Sequence, residues 1–152
     1  LLDAGALSAA LSARHPGTVL APNPREAAEL LGSDAEDEGL LATALTERVG
    51  RPVAVRGPST IVAELGRAWR SPAPPSGLGT PGSGDVFVGT LAGLLATGVE
   101  VTAALGWAVE LHAACGRRLA VHTPVGYLAS DLVAELPCAL AAAASAPDDR
   151  NG

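Results

Sequence analysis

The chain contains no lysine and no methionine, and all ten of its basic residues are arginine. Against 16 Asp and Glu they leave a net charge of −6. That balance excludes a general nucleic-acid binder, which needs a basic face to neutralise a phosphate backbone. It does not exclude a small phosphorylated ligand, which local dipoles and a few cations can hold. Aromatic residues make up only 3% of the chain while 48% is hydrophobic, so any core is built from Ala, Leu and Val. With 17% charged residues, the 152 residues are globular in composition and sufficient for one modest domain. The two cysteines, Cys115 and Cys138, form no Cys-x-x-Cys pair and stand in apolar contexts. They read as buried thiols of a cytoplasmic protein. No apolar run reaches membrane-spanning length, and no basic-then-apolar leader opens the sequence. With Leu1 where a start methionine would stand, the expectation is that an N-terminal part of the domain is missing from this chain.

Several catalytic signatures are also lacking. There is no Gly-x-Ser-x-Gly elbow, no phosphate loop ending in Gly-Lys-Ser/Thr, and no pair of histidines at metal spacing.

What is present alternates between strand and helix patterns. An apolar opening and a helix are expected over Leu1 to Leu11, and Thr18-Val19-Leu20-Ala21 reads as a short buried strand. Asn23 is a good N-cap, Pro24 suits the first helical position, and Glu26 completes a capping box. Gly32 is the expected stop. Ser33 with Glu36 repeats the capping pattern before a second helix that runs to about Gly50. Pro52 to Arg56 reads as a buried strand, and Thr60 to Ala63 as its neighbour, joined through Gly57-Pro58-Ser59. Ser71 to Gly84 is dense in Pro and Gly and reads as loop. Helices follow from Asp85 to Gly98, from Thr102 to Ala120, with His112 and Cys115 on the apolar stripe, and from Leu128 to Leu136, ended by Pro137. Residues 1–140 form the expected domain, and 141–152 an expected disordered tail. The order implies an α/β fold with a mainly parallel sheet flanked by helices.

Three segments can carry chemistry. Gly82-Ser83-Gly84-Asp85 enters an apolar helix. Glycines there allow close approach of a ligand, and the first N–H groups of the helix form an anion site. An Asp adds negative charge at such a place, which a general base taking a proton from an attacking hydroxyl explains. Asp85 reads equally as a favourable first-turn acid behind a loop. Arg56-Gly57-Pro58-Ser59-Thr60 lies at a strand end, the ligand-facing edge of open α/β sheets. It is either a phosphate contact through Arg56 and Thr60 or a hairpin with a solvated Arg. Asn23 and Glu26 can meet phosphate directly or through hydrated Mg²⁺, and can at the same time form the capping box. His112 reads as packing within its helix.

In order along the chain, these segments resemble the ribokinase-like superfamily, and within it the ADP/ATP-dependent NAD(P)H-hydrate dehydratases. Gly82-Ser83-Gly84-Asp85-Val86 with Gly89 is similar to the anion-hole and base motif. Leu2-Asp3-Ala4 with Ala6-Leu7 resembles the family's Leu-Asp-Ala-Asp-Ala-Leu segment, and Ala21-Pro22-Asn23-Pro24-Arg25-Glu26 its Thr-Pro-His-Pro-Gly-Glu helix start. Arg56 to Thr60 resembles Lys-Gly-x-x-Thr. Leu111-His112 with Gly116 resembles Leu-His-Gly-x-Ala-Gly, and Gly126-Tyr127-Leu128-Ala129-Ser130-Asp131-Leu132 the C-terminal signature. The departures are Asn23 for His, Arg25 for Gly, Arg56 for Lys and Gly5 for the second Asp.

The resemblance implies a ribokinase-like fold and a reaction in which ADP or ATP, with Mg²⁺, drives dehydration of hydrated NADH or NADPH. It implies Asp85 as base and Gly82, Ser83 and Gly84 as anion hole. Arg56, Gly57, Pro58, Ser59, Thr60 and Gly84 are then nucleotide contacts, and Asn23 faces the substrate together with Asp85. A homo-oligomer without a nucleic-acid or membrane partner is implied as well. Asn23 with Glu26 also resembles the Asn-x-x-Glu motif of sugar and vitamin kinases. That keeps open a kinase acting on a small alcohol or vitamin precursor; an inactive truncated fragment is the third reading.

Overall fold

The short strand Val53–Arg56 (β1) is the pivot of the fold, because it pairs on both sides. In the computed structural model, which describes Ala9 and residues 19–145, Leu20 bridges Val53 in parallel. The Ala54 N–H donates to the Leu20 carbonyl at 3.0 Å and the Arg56 N–H to the Pro22 carbonyl at 2.8 Å. The expected strand at Val19 to Ala21 is thus a buried extended segment beside β1. The opening motif from Leu2 to Leu7, the first expected helix as a whole, His15, Thr18 and the tail beyond Ser145 lie outside the described residues.

On its other side β1 pairs antiparallel with Thr60–Glu64 (β2), which pairs antiparallel with Arg67–Arg70 (β3). The expectation of a mainly parallel sheet is met among the described residues only at the Leu20–Val53 bridge. The reason is connection length: Gly57-Pro58-Ser59 and Leu65-Gly66 can close hairpins, whereas a parallel crossover needs a dozen residues or more.

Helices cover both faces. Pro24–Leu31 (α1) and Glu38–Val49 (α2) lie on one side, and Ser83–Ala96 (α3) and Val101–Ala120 (α4) on the other. Successive side chains of β1 divide accordingly. Val53 and Val55 join Leu20, Leu41, Leu45 and Ile61, while Ala54 joins Val62, Phe87, Leu91 and Leu105. The α/β class and its layered, ribokinase-like arrangement stand. α1 has the expected cap: Asn23 Oδ1 accepts from the Glu26 N–H at 2.9 Å, and Glu26 Oε2 accepts from the Asn23 N–H at 2.8 Å. α2 starts later than expected. Asp37, not Ser33, is its N-cap, and the Ser33 hydroxyl accepts from the Ala35 N–H in a local turn.

Ala129–Ala144 (α5) packs on α4. Pro137 does not end it, and the segment from 141 is helical as far as Ala144. The ring removes the bond to the Val133 carbonyl, on a residue that faces solvent. The alanine-rich run behind it has the highest helix propensity and carries the helix on. The helix also turns Cys138 outward, against expectation, while Cys115 is buried as expected. No helix among the described residues is long and apolar enough to cross a membrane.

Candidate active site

A 3₁₀ turn at Ser76–Gly79 leads the chain into α3, and two glycines on different elements hold it. A Cβ on Gly116 of α4 would fall 2.8 Å from Leu78, and a Cβ on Gly77 would fall 2.5 Å from the Tyr127 ring. The Leu78 side chain therefore sits in a notch of α4, and the Tyr127 ring packs against the turn. The Tyr127 hydroxyl is buried and has no hydrogen-bond partner among the described residues, and burial raises its pKa.

The chain then turns at Gly82, which has φ 82° and ψ −7°, a conformation in which glycine alone is unstrained. No side chain caps α3. The Ser83 N–H is taken up by the Thr80 carbonyl at 3.1 Å. The Gly82 and Gly84 N–H groups have no backbone partner among the described residues, nor has that of Asp85, and such N–H groups at a helix start can meet an anion. The first turn thus offers an anion two of the three backbone N–H groups expected from the sequence.

Arg56 supplies the positive charge. Its Nε donates to the Ala21 carbonyl at 2.6 Å, and its guanidinium lies 5.5 Å from the centre of the Phe87 ring. The guanidinium also fills the place a side chain on residue 84 would take, since a Cβ there would be 2.5 Å from Nη1. Arg56 is thereby fixed beside the start of α3. A cleft of about 740 Å³ opens there, lined from the hairpin by Arg56, Gly57, Pro58 and Thr60, from the helix by Ser83 and Gly84, and by Asn23. Most of the residues predicted to meet nucleotide or substrate share this cavity.

Four predicted residues are elsewhere. Ser59 is buried and turned inward, accepting from Arg70 Nη1 and donating to Glu38 Oε2 at 3.3 Å, while Arg70 and Glu38 pair at 3.0 Å. The Glu38 carboxylate lies so close to Gly57 that a side chain at that position would have to displace it. Glu26 is engaged in the capping box and does not line the cleft. Asp85 is exposed and opens, with Gly82, onto a second cleft of about 460 Å³ between α3 and α5, walled by Val86, Val133 and Leu136. The Gly82-Ser83-Gly84 turn therefore separates Arg56 from Asp85. A ligand in the first cleft meets cation and backbone donors; a ligand in the second meets a carboxylate and apolar walls.

Sequence reasoning gave His112 no role beyond packing. Its Nε2 lies 3.1 Å from both the hydroxyl and the carbonyl oxygen of Ser83, and its ring stands edge-on to Phe87 with centroids 5.8 Å apart. Burial pushes the imidazole down to about 4; the nearby Arg56 charge adds to this, and the bond to the Ser83 backbone opposes it. The motif at Leu111-His112 was visible in the sequence, but its contact, 29 residues away, was not. Among the described residues no three His, Cys, Asp or Glu gather as a metal site.

A family profile described as NAD(P)H-hydrate dehydratase matches residues 1–138. The chain is 38% identical over 144 residues to an ADP-dependent (S)-NAD(P)H-hydrate dehydratase of Xanthomonas campestris pv. campestris, covering 90% of this chain and 50% of that protein. It is 34% identical over 154 residues to a bifunctional NAD(P)H-hydrate repair enzyme of Moorella thermoacetica, covering 92% of this chain and 29% of the relative. The chain thus spans half or less of the length of these curated relatives. Among solved structures it is similar to the ADP/ATP-dependent NAD(P)H-hydrate dehydratase from Bacillus subtilis co-crystallized with ATP/Mg²⁺. The TM-score is 0.77 at 26% identity, over 93% of this chain and 53% of that one.

Proposed function

Because the chain belongs to the NAD(P)H-hydrate dehydratase family, we propose that it takes part in the ADP- or ATP-dependent dehydration of hydrated NADH and NADPH back to the reduced coenzymes. One observation carries this reading to particular residues: the turn that begins α3 has a cationic cleft on one flank and the Asp85 cleft on the other.

In this mechanism the nucleotide occupies the first cleft. Arg56 neutralises phosphate charge, Gly57, Pro58 and Thr60 border the nucleotide, and the Gly82 and Gly84 N–H groups face charge that builds up on the transferred phosphoryl group. The hydrated nicotinamide ring approaches from the Asp85 side; Asn23, in the place of the family's His, lies on the wall of the first cleft. Asp85 takes the proton of the substrate hydroxyl as its oxygen attacks phosphorus and the nucleotide leaves one phosphate shorter. The phosphate then departs with the C–O bond, a proton leaves the neighbouring carbon, and the ring double bond is restored. A Mg²⁺ accompanying the nucleotide would be held chiefly by phosphate oxygens and water. Asn23, on the wall of the first cleft and held by its capping box with Glu26, is the side chain that would meet its hydration shell, and the cation would lower the charge on the phosphates.

The same reading takes residues 1–140 as part of one ribokinase-like domain, in a protein that is a cytoplasmic homo-oligomer acting on small molecules. Its test is recovery of NADH absorbance from hydrated NADH, with ADP or ATP and Mg²⁺. Nucleotide-dependent recovery supports it. Accumulation of a stable phosphoester without recovery would replace it with a kinase activity.

A further inference from the structure

The two contacts of His112 Nε2 determine where its hydrogen is. The Ser83 carbonyl can only accept, so at 3.1 Å from that oxygen Nε2 is the donor. The Ser83 hydroxyl oxygen lies at the same distance from the same nitrogen. It therefore meets an N–H as well, and its own hydrogen must point away from the ring. Ser83 is a buried residue on the wall of the Arg56 cleft, and its backbone N–H is spent on Thr80. Its hydroxyl is then the donor that residue 83 has left to offer.

We infer that His112 is a positioning residue that, with its hydrogen on Nε2, holds the Ser83 hydroxyl as a donor into the cleft, directed at an anionic oxygen of the nucleotide's phosphate chain. The inference rests on the nucleotide reading given above and adds to it a side-chain donor beside the backbone groups. The surroundings keep the ring in this state. Phe87 meets it edge-on, burial disfavours its charged form, and the Arg56 guanidinium is nearby. A neutral imidazole has one N–H, and the Ser83 carbonyl fixes which nitrogen carries it.

The test is calorimetric titration of ADP into the whole protein and its variants, with a ¹⁵N–¹H correlation spectrum of the His112 ring. His112→Phe keeps a flat ring and loses the donor, and it is expected to weaken ADP binding about tenfold, the effect of one hydrogen bond to a charged group. His112→Gln returns an N–H near the same place and is expected to stay within about threefold of the parent protein. Ser83→Ala is expected to weaken binding about tenfold, and adding His112→Phe to it is expected to weaken binding no further. The spectrum is expected to show hydrogen on Nε2 and none on Nδ1. Independent, multiplying effects of the two substitutions, or hydrogen on Nδ1, would overturn the inference while leaving nucleotide binding intact. A parent protein that binds no ADP would overturn the nucleotide reading and this inference with it.

Discussion

The Arg56 guanidinium occupies the volume that any side chain on Gly84 would need: a Cβ there would lie 2.5 Å from Nη1. The displaced atom is the end of a flexible side chain, so Gly84→Ala is expected to leave stability within about 1 kcal/mol of the parent. It forces Arg56 off its seat, however, and nucleotide affinity is expected to fall about tenfold. Arg56→Lys should show a similar loss, since lysine has no Nε to bond the Ala21 carbonyl and no planar group over Phe87. Titration with ADP checks both. Gly93→Ala is the control; nothing lies within 4 Å of its Cβ, and it is expected to raise stability by up to about 1 kcal/mol.

Asp85 is expected to matter for turnover and not for nucleotide affinity, because it opens onto the other cleft. Asp85→Asn should lower the rate by about 10²-fold or more, with ADP affinity kept within about threefold of the parent. Equal losses in rate and affinity would remove Asp85 from the role of base.

His112 makes stability depend on pH in a defined direction. Its folded pKa is about 4 against an ordinary 6.5. Above 6.5 the ring is neutral in both states. Between 6.5 and 4 the unfolded chain takes up a proton and the folded chain does not. This contribution is therefore fully present at neutral pH and is lost as pH falls, by about 3 kcal/mol in total. Urea unfolding at about pH 7 and about pH 5 should show a smaller drop for His112→Gln than for the parent.

Around the 3₁₀ turn, the two members of one contact should respond in opposite ways. Tyr127→Phe removes a buried hydroxyl that has no partner among the described residues, so stability is expected to hold or to rise by about 1 kcal/mol. Gly77→Ala drives a methyl group into the Tyr127 ring and should cost about 2 kcal/mol or more. Thermal unfolding of the two variants decides this.

Much of the architecture follows from local chemistry that a sequence displays. The Asn23–Glu26 capping box, the Gly57-Pro58-Ser59 hairpin and the glycine turn before α3 each depend on residues within a few positions of one another. β3 did not announce itself, because Arg67, Ala68, Trp69 and Arg70 are all exposed and show no alternation; pairing with β2 makes them a strand. Pro137 misled for the same kind of reason, since packing on α4 and the alanine run outweigh one lost bond. Within the site, the residue types were legible and their facing was not. Ser59 points to Glu38 and Arg70 because α2 and β3 meet beneath the hairpin, and His112 reaches Ser83 only once α3 and α4 are packed together.

The turn at Gly82-Ser83-Gly84 also bears on the order of events. Each of its flanks borders its own cleft among the described residues, so the two clefts can be occupied together. Two reactants meeting across such a partition have no need to visit the protein in turn, and no group must be parked on the chain between visits. Initial-rate lines for such a pair intersect, as they do when both reactants are bound at once, and do not run parallel.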